Sequence, residues 1–315
     1  MSKISVVLAV YNEEENLNTL YKRIKDVLKK LNGEHEIILI NDGSYDSTSV
    51  LLKKLHDKDS DVKIINFSRN FGHQVAVSAG LKYSSGDYIA ILDGDLQDPP
   101  EILPKFFKKL EDGYDAVYAI RKNRKENIFK KISYSLFYRL LKKVSSIDIP
   151  LDSGDFSVMN RRVVDAVNSL PERNRFVRGL RSWVGFKQIG LEYTRDKRLA
   201  GKSKYNLRKL FKLAFDGIFS FSYIPLQFMF YLGLISLLLS ILGSIVAIYF
   251  RFFTTAYSRV PGFATTIILV MFVGGLILFS VGIMGEYIRR IYDEIKARPQ
   301  FIIESTLGFE EKNSK

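Results

Sequence analysis

The stretch Ile89-Ala90-Ile91-Leu92-Asp93-Gly94-Asp95-Leu96-Gln97-Asp98-Pro99-Pro100 decides the fold. Its apolar first half is typical of a buried strand in a parallel sheet, and its second half is a polar loop. Ligands of open α/β sheets bind just beyond the carboxyl ends of such strands. We therefore expect Asp93 and Asp95 to lie at a ligand-binding crevice, where Gly94 lets the backbone bend and leaves room for a ligand.

The oxygen donors of this loop suit a hard divalent cation. The carboxylates of Asp93 and Asp95, with the amide oxygen of Gln97, are suited to Mg²⁺ or Mn²⁺ held against a diphosphate. The alternative is an ordinary turn, because Asp and Gly are common turn residues. The neighbouring segments decide between the two interpretations.

Strands and helices alternate through the first part of the chain. The pattern predicts strands at 4–10, 36–40, 62–67 and 88–92, each followed by a polar loop and then a helix. This alternation is typical of a doubly wound, parallel sheet. No Gly-x-Gly-x-x-Gly follows the first strand and no Walker lysine motif is found. The phosphate loops of dehydrogenases and P-loop enzymes are thereby excluded.

The middle of the chain is predicted to add strands and two basic helices. Strands are expected at 116–120 and 187–194, and residues 153–159 are predicted as an edge strand that carries Asp155 as a candidate site residue. Basic amphipathic helices are predicted over about 127–146 and 206–222. Such helices are typical of a membrane surface, although the first one could equally pack on the sheet.

The amino-acid composition excludes several kinds of site and favours some binding partners over others. The 315 residues include no cysteine, which excludes a disulfide framework, cysteine catalysis and a Cys-ligated zinc site, and only three histidines. The net charge of +13 comes from one block, since residues 121–212 carry 24 Lys and Arg against 8 Asp and Glu. This block precedes apolar spans and matches no nucleic-acid recognition module, so it favours phosphate and membrane over nucleic acid.

Two apolar segments near the C-terminus are predicted to span a membrane. Residues 217–250 and 260–285 contain no charged residue, and each exceeds the roughly 20 residues that a membrane helix needs. The outer flanks are richer in Lys and Arg than the short connection at 251–259. The positive-inside rule therefore predicts that both termini and the N-terminal region are cytoplasmic, as in a multi-pass protein of the cell (inner) membrane.

Five motifs occur in the order and approximate spacing of a known enzyme family. They are Val10-Tyr11-Asn12-Glu13-Glu14, Asn41-Asp42-Gly43-Ser44, Asn70-Phe71-Gly72-His73-Gln74, Asp93-Gly94-Asp95-Leu96-Gln97-Asp98-Pro99-Pro100-Glu101, and Arg198 with Gly201-Lys202-Ser203-Lys204-Tyr205. Through them the chain resembles the polyisoprenyl-phosphate glycosyltransferases of glycosyltransferase family 2, which include dolichyl-phosphate mannose synthases. The two C-terminal spans resemble the bacterial branch of GtrB-type bactoprenol glucosyltransferases.

Two residues depart from the family pattern. Ala9 stands where the family usually has Pro, which costs some loop rigidity. Asn41 stands where it usually has Asp, which removes one charge near the expected base-binding site, although Asp42 remains.

The resemblance implies a GT-A fold, a Rossmann-like α/β fold with a mostly parallel sheet, in a cytoplasmic domain. We expect a catalytic domain at 1–205, which includes the helix at 127–146, and a juxtamembrane amphipathic helix at 206–222. Two transmembrane helices at 223–288 and a cytoplasmic tail at 289–315 complete the expected organisation.

The expected site residues fall into four groups. The resemblance implies that the nucleotide sugar is bound by Val10, Tyr11, Glu13, Asp42, Ser44, Asp93 and Gly94. It implies that the metal is held by Asp95 and Gln97, and that the phosphates of donor and acceptor are bound by Arg121, Arg124, Arg198, Ser203 and Lys204. The expected catalytic residues are Asp93, Asp95 and Asp155, of which Asp155 would orient the sugar or accept a proton.

The expected function is inverting, metal-dependent transfer of one sugar to a polyisoprenyl phosphate at the cytoplasmic membrane face. UDP-glucose is the first hypothesis for the donor, with GDP-mannose and a modified arabinose donor left open, and a homo-oligomer, first a tetramer, is plausible. One rival is a processive polysaccharide synthase, which usually has more spans and a Gln-x-x-Arg-Trp motif that is not found here. The other is a non-catalytic basic membrane scaffold, which would not need the acidic loop.

Overall fold

The computed structural model describes residues 2–31, 33–122, 153–173, 175–194, 224–253 and 262–309. Its described residues fall into two units: the first takes those up to 194 together with 298–309, and the second takes 224–253 and 262–297. The two predicted amphipathic helices, at 127–146 and 206–222, lie outside the described residues.

The first unit is built on a sheet of eight strands in the order β7-β5-β6-β4-β1-β2-β3-β8. The strands are β1 Lys3–Val10, β2 Glu34–Asn41, β3 Val62–Phe67, β4 Tyr88–Asp93, β5 Ala116–Lys122, β6 Ser153–Asn160, β7 Gln188–Thr194 and β8 Ile303–Leu307. The pairs β1–β2, β2–β3, β1–β4 and β5–β7 are parallel, whereas β6 and β8 run antiparallel to their neighbours. The sheet is therefore mostly parallel and GT-A-like, which confirms the predicted fold class.

Helices connect the strands of the first unit. They are α1 Leu17–Leu28, α2 Thr48–Lys58, α3 His73–Tyr83, α4 Leu103–Glu111 after a 3-10 turn at Pro100–Ile102, α5 Arg161–Ser169 and α6 Val177–Trp183. In α1 the buried residues recur at Leu17, Leu20, Ile24, Val27 and Leu28, the spacing of one helix face. That apolar stripe packs into the core cluster with the buried residues of β1 and β2.

The order of the strands places a topological switch point between β1 and β4. From β1 the chain proceeds to β2 and β3 on one side, and then returns to the other side of β1 with β4. The register pairs Val10 with Asn41 and Ala9 with Asp93. The carboxyl ends of three parallel strands therefore meet at one edge, where ligands of open α/β sheets bind.

The prediction that residues 153–159 form an edge strand was wrong. β6 lies inside the sheet, between β4 and β5, and is antiparallel to both. Its core is correspondingly apolar, since Phe156 and Val158 are fully buried. A strand of alternating polarity fits an edge or an interior position equally well, so the sequence pattern could not decide its place.

The chain returns to the first unit after its last helix. Residues 298–309, which we name the return segment, contribute β8, and β8 pairs antiparallel with β3. The sequence pattern predicted only a C-terminal tail here. A five-residue strand with mixed polarity carries little signal of its own, so its pairing with β3 was not foreseen.

The second unit consists of two long apolar helices, α7 Ile224–Phe253 and α8 Gly262–Ile295. The stretches Ile224–Val246 and Leu269–Ile295 are long and apolar enough to cross a membrane. They confirm the two predicted candidate spans, and α8 runs seven residues beyond the predicted boundary at 288. Its charged end is tied together by ion pairs from Arg289 and Arg290 to Glu286, at 2.6 and 3.0 Å.

Glu36 is a buried carboxylate near the amino ends of the parallel strands, opposite the switch point. Glu36 in β2 is 1% exposed and accepts hydrogen bonds from the Ser5 hydroxyl at 2.5 Å and the Ser85 backbone N–H at 2.7 Å. Lys63 of β3 lies 2.9 Å away. Burial by itself would raise the pKa of Glu36, but these hydrogen bonds and the charge of Lys63 hold it at about 2.

We predict that Glu36→Gln destabilises the first unit in a pH-dependent way. Because the folded pKa lies below its ordinary value of 4.5, the ionised group stabilises the fold fully above that pH and loses its effect as pH falls towards 2. The cost near neutral pH should be about 3 kcal/mol in the free energy of unfolding. Thermal unfolding of the detergent-solubilised chain should show a gap to wild type that narrows in acid. Glu34→Gln, at an exposed position of the same strand, is the control, and a gap independent of pH would contradict the prediction.

Candidate active site

The loops that follow β1 and β2 are locked to each other at the switch point. The backbone N–H of Asn12 donates to the Ser44 hydroxyl at 3.0 Å, and the backbone N–H of Tyr45 donates to the side-chain oxygen of Asn12 at 3.0 Å. The rings of Tyr11 and Tyr45 meet edge to face at 6.0 Å. Asn12 has a φ of 52°, in the left-handed region that Asn tolerates better than most residues other than Gly, and these bonds hold it in place.

Asp42 joins the same edge to the loop that follows β3. This residue is 3% exposed, and its carboxylate accepts the backbone N–H groups of Phe71 at 2.7 Å and of Gly72 at 3.0 Å. Burial raises the pKa of Asp42, while the two N–H groups oppose that rise. The carboxylate expected to line the nucleotide pocket is therefore turned towards a neighbouring loop, whose shape it sets.

The acidic loop after β4 is held by two buried side chains, those of Leu96 and Asp98. Leu96 is 1% exposed and has a φ of 58°, so the burial of its side chain offsets a strained backbone. Asp98 is fully buried and accepts a hydrogen bond from the hydroxyl of Tyr193 in β7. Asp95 and Gln97 flank Leu96, and the backbone N–H of Gln97 donates to the Asp95 carboxylate at 3.2 Å.

Gly94 is required for a reason that the sequence analysis did not give. Its φ is not in the left-handed region. A Cβ at this position would lie 3.1 Å from the carbonyl oxygen of Ala9 and 3.3 Å from a methyl group of Val10. The missing side chain thus lets the acidic loop pass close to the end of β1.

A histidine lies between two carboxylates from neighbouring strands. The Nε2 atom of His73 is 3.4 Å from an oxygen of Asp93 and 3.5 Å from an oxygen of Asp155. These two residues come together because β4 and β6 are antiparallel neighbours in the register that pairs Ile91 with Ser157. His73 is the first residue of α3. The loop that Asp42 anchors therefore also positions the His73 ring beside the two carboxylates.

His73, Asp93 and Asp155 change one another's pKa. Burial and the surrounding carboxylates raise the pKa of Asp93 well above its usual range, and the charge of His73 opposes that rise. Partial burial disfavours the charged His73 ring, but the hydrogen bond to Asp155 and the charges of both carboxylates raise its pKa to about 9. Burial would raise the pKa of Asp155, yet the His73 hydrogen bond and the charge of Arg178 hold it well below its usual range. At neutral pH His73 is therefore charged and Asp155 ionised.

Gln74 and α6 complete the surroundings of Asp155. The Gln74 side chain donates to Asp155 Oδ2 at 2.6 Å and accepts the backbone N–H of Val177 at 2.8 Å. Within the described part of the chain, no donor reaches the other buried oxygen, Asp155 Oδ1. Arg181 of α6 is 1% exposed, and its guanidinium lies 4.6 Å above the ring of Tyr118. Burial lowers the pKa of Arg181 to about 10, so it stays positive at neutral pH.

The residues of the acidic loop fit a divalent cation that a ligand helps to coordinate. Across the described ranges no group of three or more His, Asp and Glu side chains could hold a metal ion by itself. Asp95 and Gln97 offer hard oxygen donors on a loop of fixed backbone. Magnesium is commonly bound in this way, by one or two carboxylates while substrate phosphates and water complete the coordination. The donor set therefore suits Mg²⁺ or Mn²⁺ in the company of a diphosphate.

The structure brings most of the expected donor-side residues to one edge of the sheet. Val10, Asp42 and Asp93 lie at the ends of β1, β2 and β4, with Tyr11, Glu13 and Ser44 in the loops that follow. Arg121 belongs to β5, one residue before its end, rather than to the loop beyond it. The remaining expected phosphate-binding residues, Arg124, Arg198, Ser203 and Lys204, lie outside the described residues.

Four residues of the candidate site were not predicted from the sequence: His73, Gln74, Arg178 and Arg181. The first two were quoted within a motif without a role, and the other two belong to a short helix that was not predicted. A run of arginines at 173–181 was visible, but its relation to Asp155 depends on how α6 packs.

Comparison with known proteins identifies the family. A family model described as Glycosyl transferase family 2 matches residues 5–167. An uncharacterized glycosyltransferase of Bacillus subtilis is 45% identical over 309 residues, which cover 98% of this chain and 95% of that protein. The bactoprenol glucosyl transferase of Shigella phage SfV is 41% identical over 305 residues, 96% of this chain and 98% of that protein. The SfII prophage-derived bactoprenol glucosyl transferase of Shigella flexneri is 40% identical over 306 residues, with the same coverage.

We predict that the stabilising effect of His73 disappears in base. Because its folded pKa of about 9 exceeds the ordinary value of 6.5, its charge stabilises the fold fully below the lower value and ceases to do so as pH rises through the higher one. Thermal unfolding without divalent metal should separate wild type from His73→Gln at about pH 6 and bring them together at about pH 10.

The pairing of His73 with Asp155 is checked by a double-mutant cycle. In an Asp155→Asn background the effect of His73→Gln at about pH 6 should be smaller, since one of the two carboxylates is gone. Equal effects in both backgrounds, or an equal gap at both pH values, would count against the charge pairing.

Proposed function

The chain belongs to glycosyl transferase family 2, and on that premise we propose that it transfers one sugar from a nucleotide donor to a polyisoprenyl phosphate. Glucose from UDP-glucose is the first hypothesis, with inversion at the sugar carbon and a divalent metal as cofactor. The reaction takes place at the cytoplasmic face of the cell membrane.

The observation that carries this proposal is the length of the match to bactoprenol glucosyl transferases. It covers 96% of this chain and therefore includes the two apolar helices as well as the sheet. Both parts suit an enzyme whose acceptor is a membrane lipid, since the acceptor phosphate stays at the bilayer surface.

The nucleotide-sugar donor is proposed to bind at the switch point, beyond the carboxyl ends of β1, β2 and β4. Tyr11, Glu13 and Ser44 are proposed to line the uridine pocket, with Val10 and Asp42 fixing its backbone. Asp95 and Gln97 are proposed to hold Mg²⁺ or Mn²⁺. When bound, the cation would stabilise the negative charge that develops on the departing nucleotide.

The nucleophile of the proposed reaction is the phosphate group of the acceptor. A phosphate monoester has a second pKa of about 6, so it is largely doubly charged near neutral pH and needs no general base to attack. Its approach to a diphosphate requires positive groups that align two anions. Arg121, Arg124, Arg198, Ser203 and Lys204 are proposed for this task, which agrees with the basic charge of residues 121–212.

Asp155 is proposed to orient the sugar rather than to activate the acceptor. His73 and Gln74 hold Oδ2, and 13% of the Asp155 side chain remains exposed. An ionised carboxylate in a fixed direction is suited to accept a hydrogen bond from a sugar hydroxyl on that exposed side, and the low pKa makes it a weak base.

The return segment supports the proposed membrane topology. β8 follows both apolar helices in the chain and yet pairs with β3, which precedes them. A chain that leaves and rejoins one sheet must cross a membrane an even number of times, so two crossings place both flanks on one side. The basic flanks favour the cytoplasmic side.

A homo-oligomer, first a tetramer, is part of the proposal. Gly274, Gly275 and Gly282 on α8 have open space where a side chain would stand, and small residues allow close approach of membrane helices.

The proposal predicts metal-dependent transfer that Asp95→Asn abolishes. Purified full-length protein with Mg²⁺ or Mn²⁺ should move labelled sugar from one member of a nucleotide-sugar panel to polyprenyl phosphate. Asp95→Asn should lower turnover by about 100-fold or more. Asp26→Asn, an exposed carboxylate of α1 far from the acidic loop in sequence, is the matched control and should retain wild-type turnover.

The outcomes separate the rival functions. One sugar per lipid supports the proposal, whereas a ladder of products indicates a processive polysaccharide synthase. A chain that transfers no sugar and binds no nucleotide sugar, with Asp95→Asn indistinguishable from wild type, is a membrane scaffold.

A further inference from the structure

The return segment contacts the strand and the loop that shape the proposed donor site. β8 pairs with β3 so that Ser305 lies opposite Asn66, and the register shifts between Asn66 and Phe67. The backbone N–H of Ser68 then donates to the carbonyl of Ile302 at 3.1 Å. The return segment therefore sets the point at which β3 ends and its loop, residues 68–72, begins.

A first line of contacts runs through aromatic rings. Phe301 stacks on the buried ring of Phe67, with centroids 5.1 Å apart and planes 16° from parallel. Phe67 meets Phe71 edge to face at 5.6 Å. The backbone N–H of Phe71 is the one that donates to Asp42 at 2.7 Å. Phe301 is thus two rings away from the carboxylate that fixes loop 68–72.

A second line of contacts runs through amides. The Asn66 amide donates to the Ser305 hydroxyl, the Asn41 amide donates to the Asn66 oxygen, and the backbone N–H of Ser44 donates to the Asn41 oxygen, each at 3.0 Å. Asn41 both donates and accepts in this chain, which a carboxylate cannot do. Asn41, which stands where the family usually has Asp, therefore has a hydrogen-bond partner, Asn66, on β3, the strand that pairs with β8.

Both lines end at neighbouring residues of one strand end, Asn41 and Asp42. We infer that the return segment is a positioning element of the donor site, in which Phe301 and Ser305 hold the loops after β2 and β3 in the geometry that binds the nucleotide. The inference rests on the proposed function, because the nucleotide is the ligand proposed for these loops. Phe301 acts through Phe67 and Phe71, so its removal weakens donor binding and spares the handling of the acceptor.

The test is Phe301→Ala in the full-length chain, with UDP as the binding probe. The dissociation constant of UDP and the donor KM should each rise about fivefold, the size expected for the loss of one stacked aromatic pair. The acceptor KM should stay within about twofold of wild type, since among the described residues the ring contacts of Phe301 lead through Phe67 and Phe71 to the loops proposed to bind the donor. Phe301→Leu keeps an apolar cover over Phe67 and should recover most of the affinity.

Ile302→Ala is the matched control. It removes a large apolar side chain that is 55% exposed and keeps the backbone carbonyl that accepts the Ser68 N–H, so UDP affinity should not change. Asn66→Ala cuts the amide line without touching the rings and should also weaken UDP binding. Should Phe301→Ala fail to fold, Phe301→Leu and Asn66→Ala decide the question.

The outcomes keep the two proposals apart. Wild type that binds UDP and transfers sugar, while Phe301→Ala binds UDP equally well, overturns the inference and leaves the proposed function standing. A parallel rise of donor and acceptor KM, or the same loss in Ile302→Ala, also overturns it, because that pattern indicates general destabilisation. Wild type that neither binds UDP nor transfers sugar overturns the proposed function and this inference with it.

Discussion

The candidate site depends on one electrostatic constraint: two neighbouring, partly buried carboxylates cannot both be ionised without a positive charge beside them. Asp93 and Asp155 meet that condition through His73, which lies within 3.5 Å of both. The two carboxylates are not stabilised equally, since Asp155 also accepts a hydrogen bond from Gln74 and is stabilised by the charge of Arg178. One carboxylate is thereby held ionised, and the other, whose pKa is raised, gains from any further cation brought to the acidic loop.

The rest of the switch point makes this arrangement rigid before any ligand arrives. Asp42 anchors the loop that delivers His73, and Leu96 and Asp98 anchor the acidic loop from the core side. Leu96 keeps a strained backbone conformation in the segment that is proposed to hold the metal. Preorganised groups of this kind cost no reorganisation during a reaction, which is why strained residues collect at sites of function.

The chain leaves the sheet, forms the two apolar helices and then comes back to the sheet. The return segment covers the edge of β3, and an uncovered edge strand would present unpaired backbone groups. The same segment reaches Asn41 and Asp42 through two sets of contacts. The return segment, which follows the second apolar helix, therefore has a structural reason to be retained.

The sequence by itself determined the alternation of strands and helices, the acidic loop at the end of β4 and the two apolar spans, because these depend on local periodicity and composition. It also predicted Asp93, Asp95 and Asp155 as site residues, whereas the roles expected of Val10, Tyr11 and Asp42 were implied by the resemblance to a family. Only the tertiary structure decided that β6 lies inside the sheet, that His73 and Gln74 hold Asp155, that Arg181 is buried against Tyr118, and that β8 pairs with β3. These contacts join residues far apart in the chain, and strand order is set by the packing of the whole sheet, which no local pattern encodes.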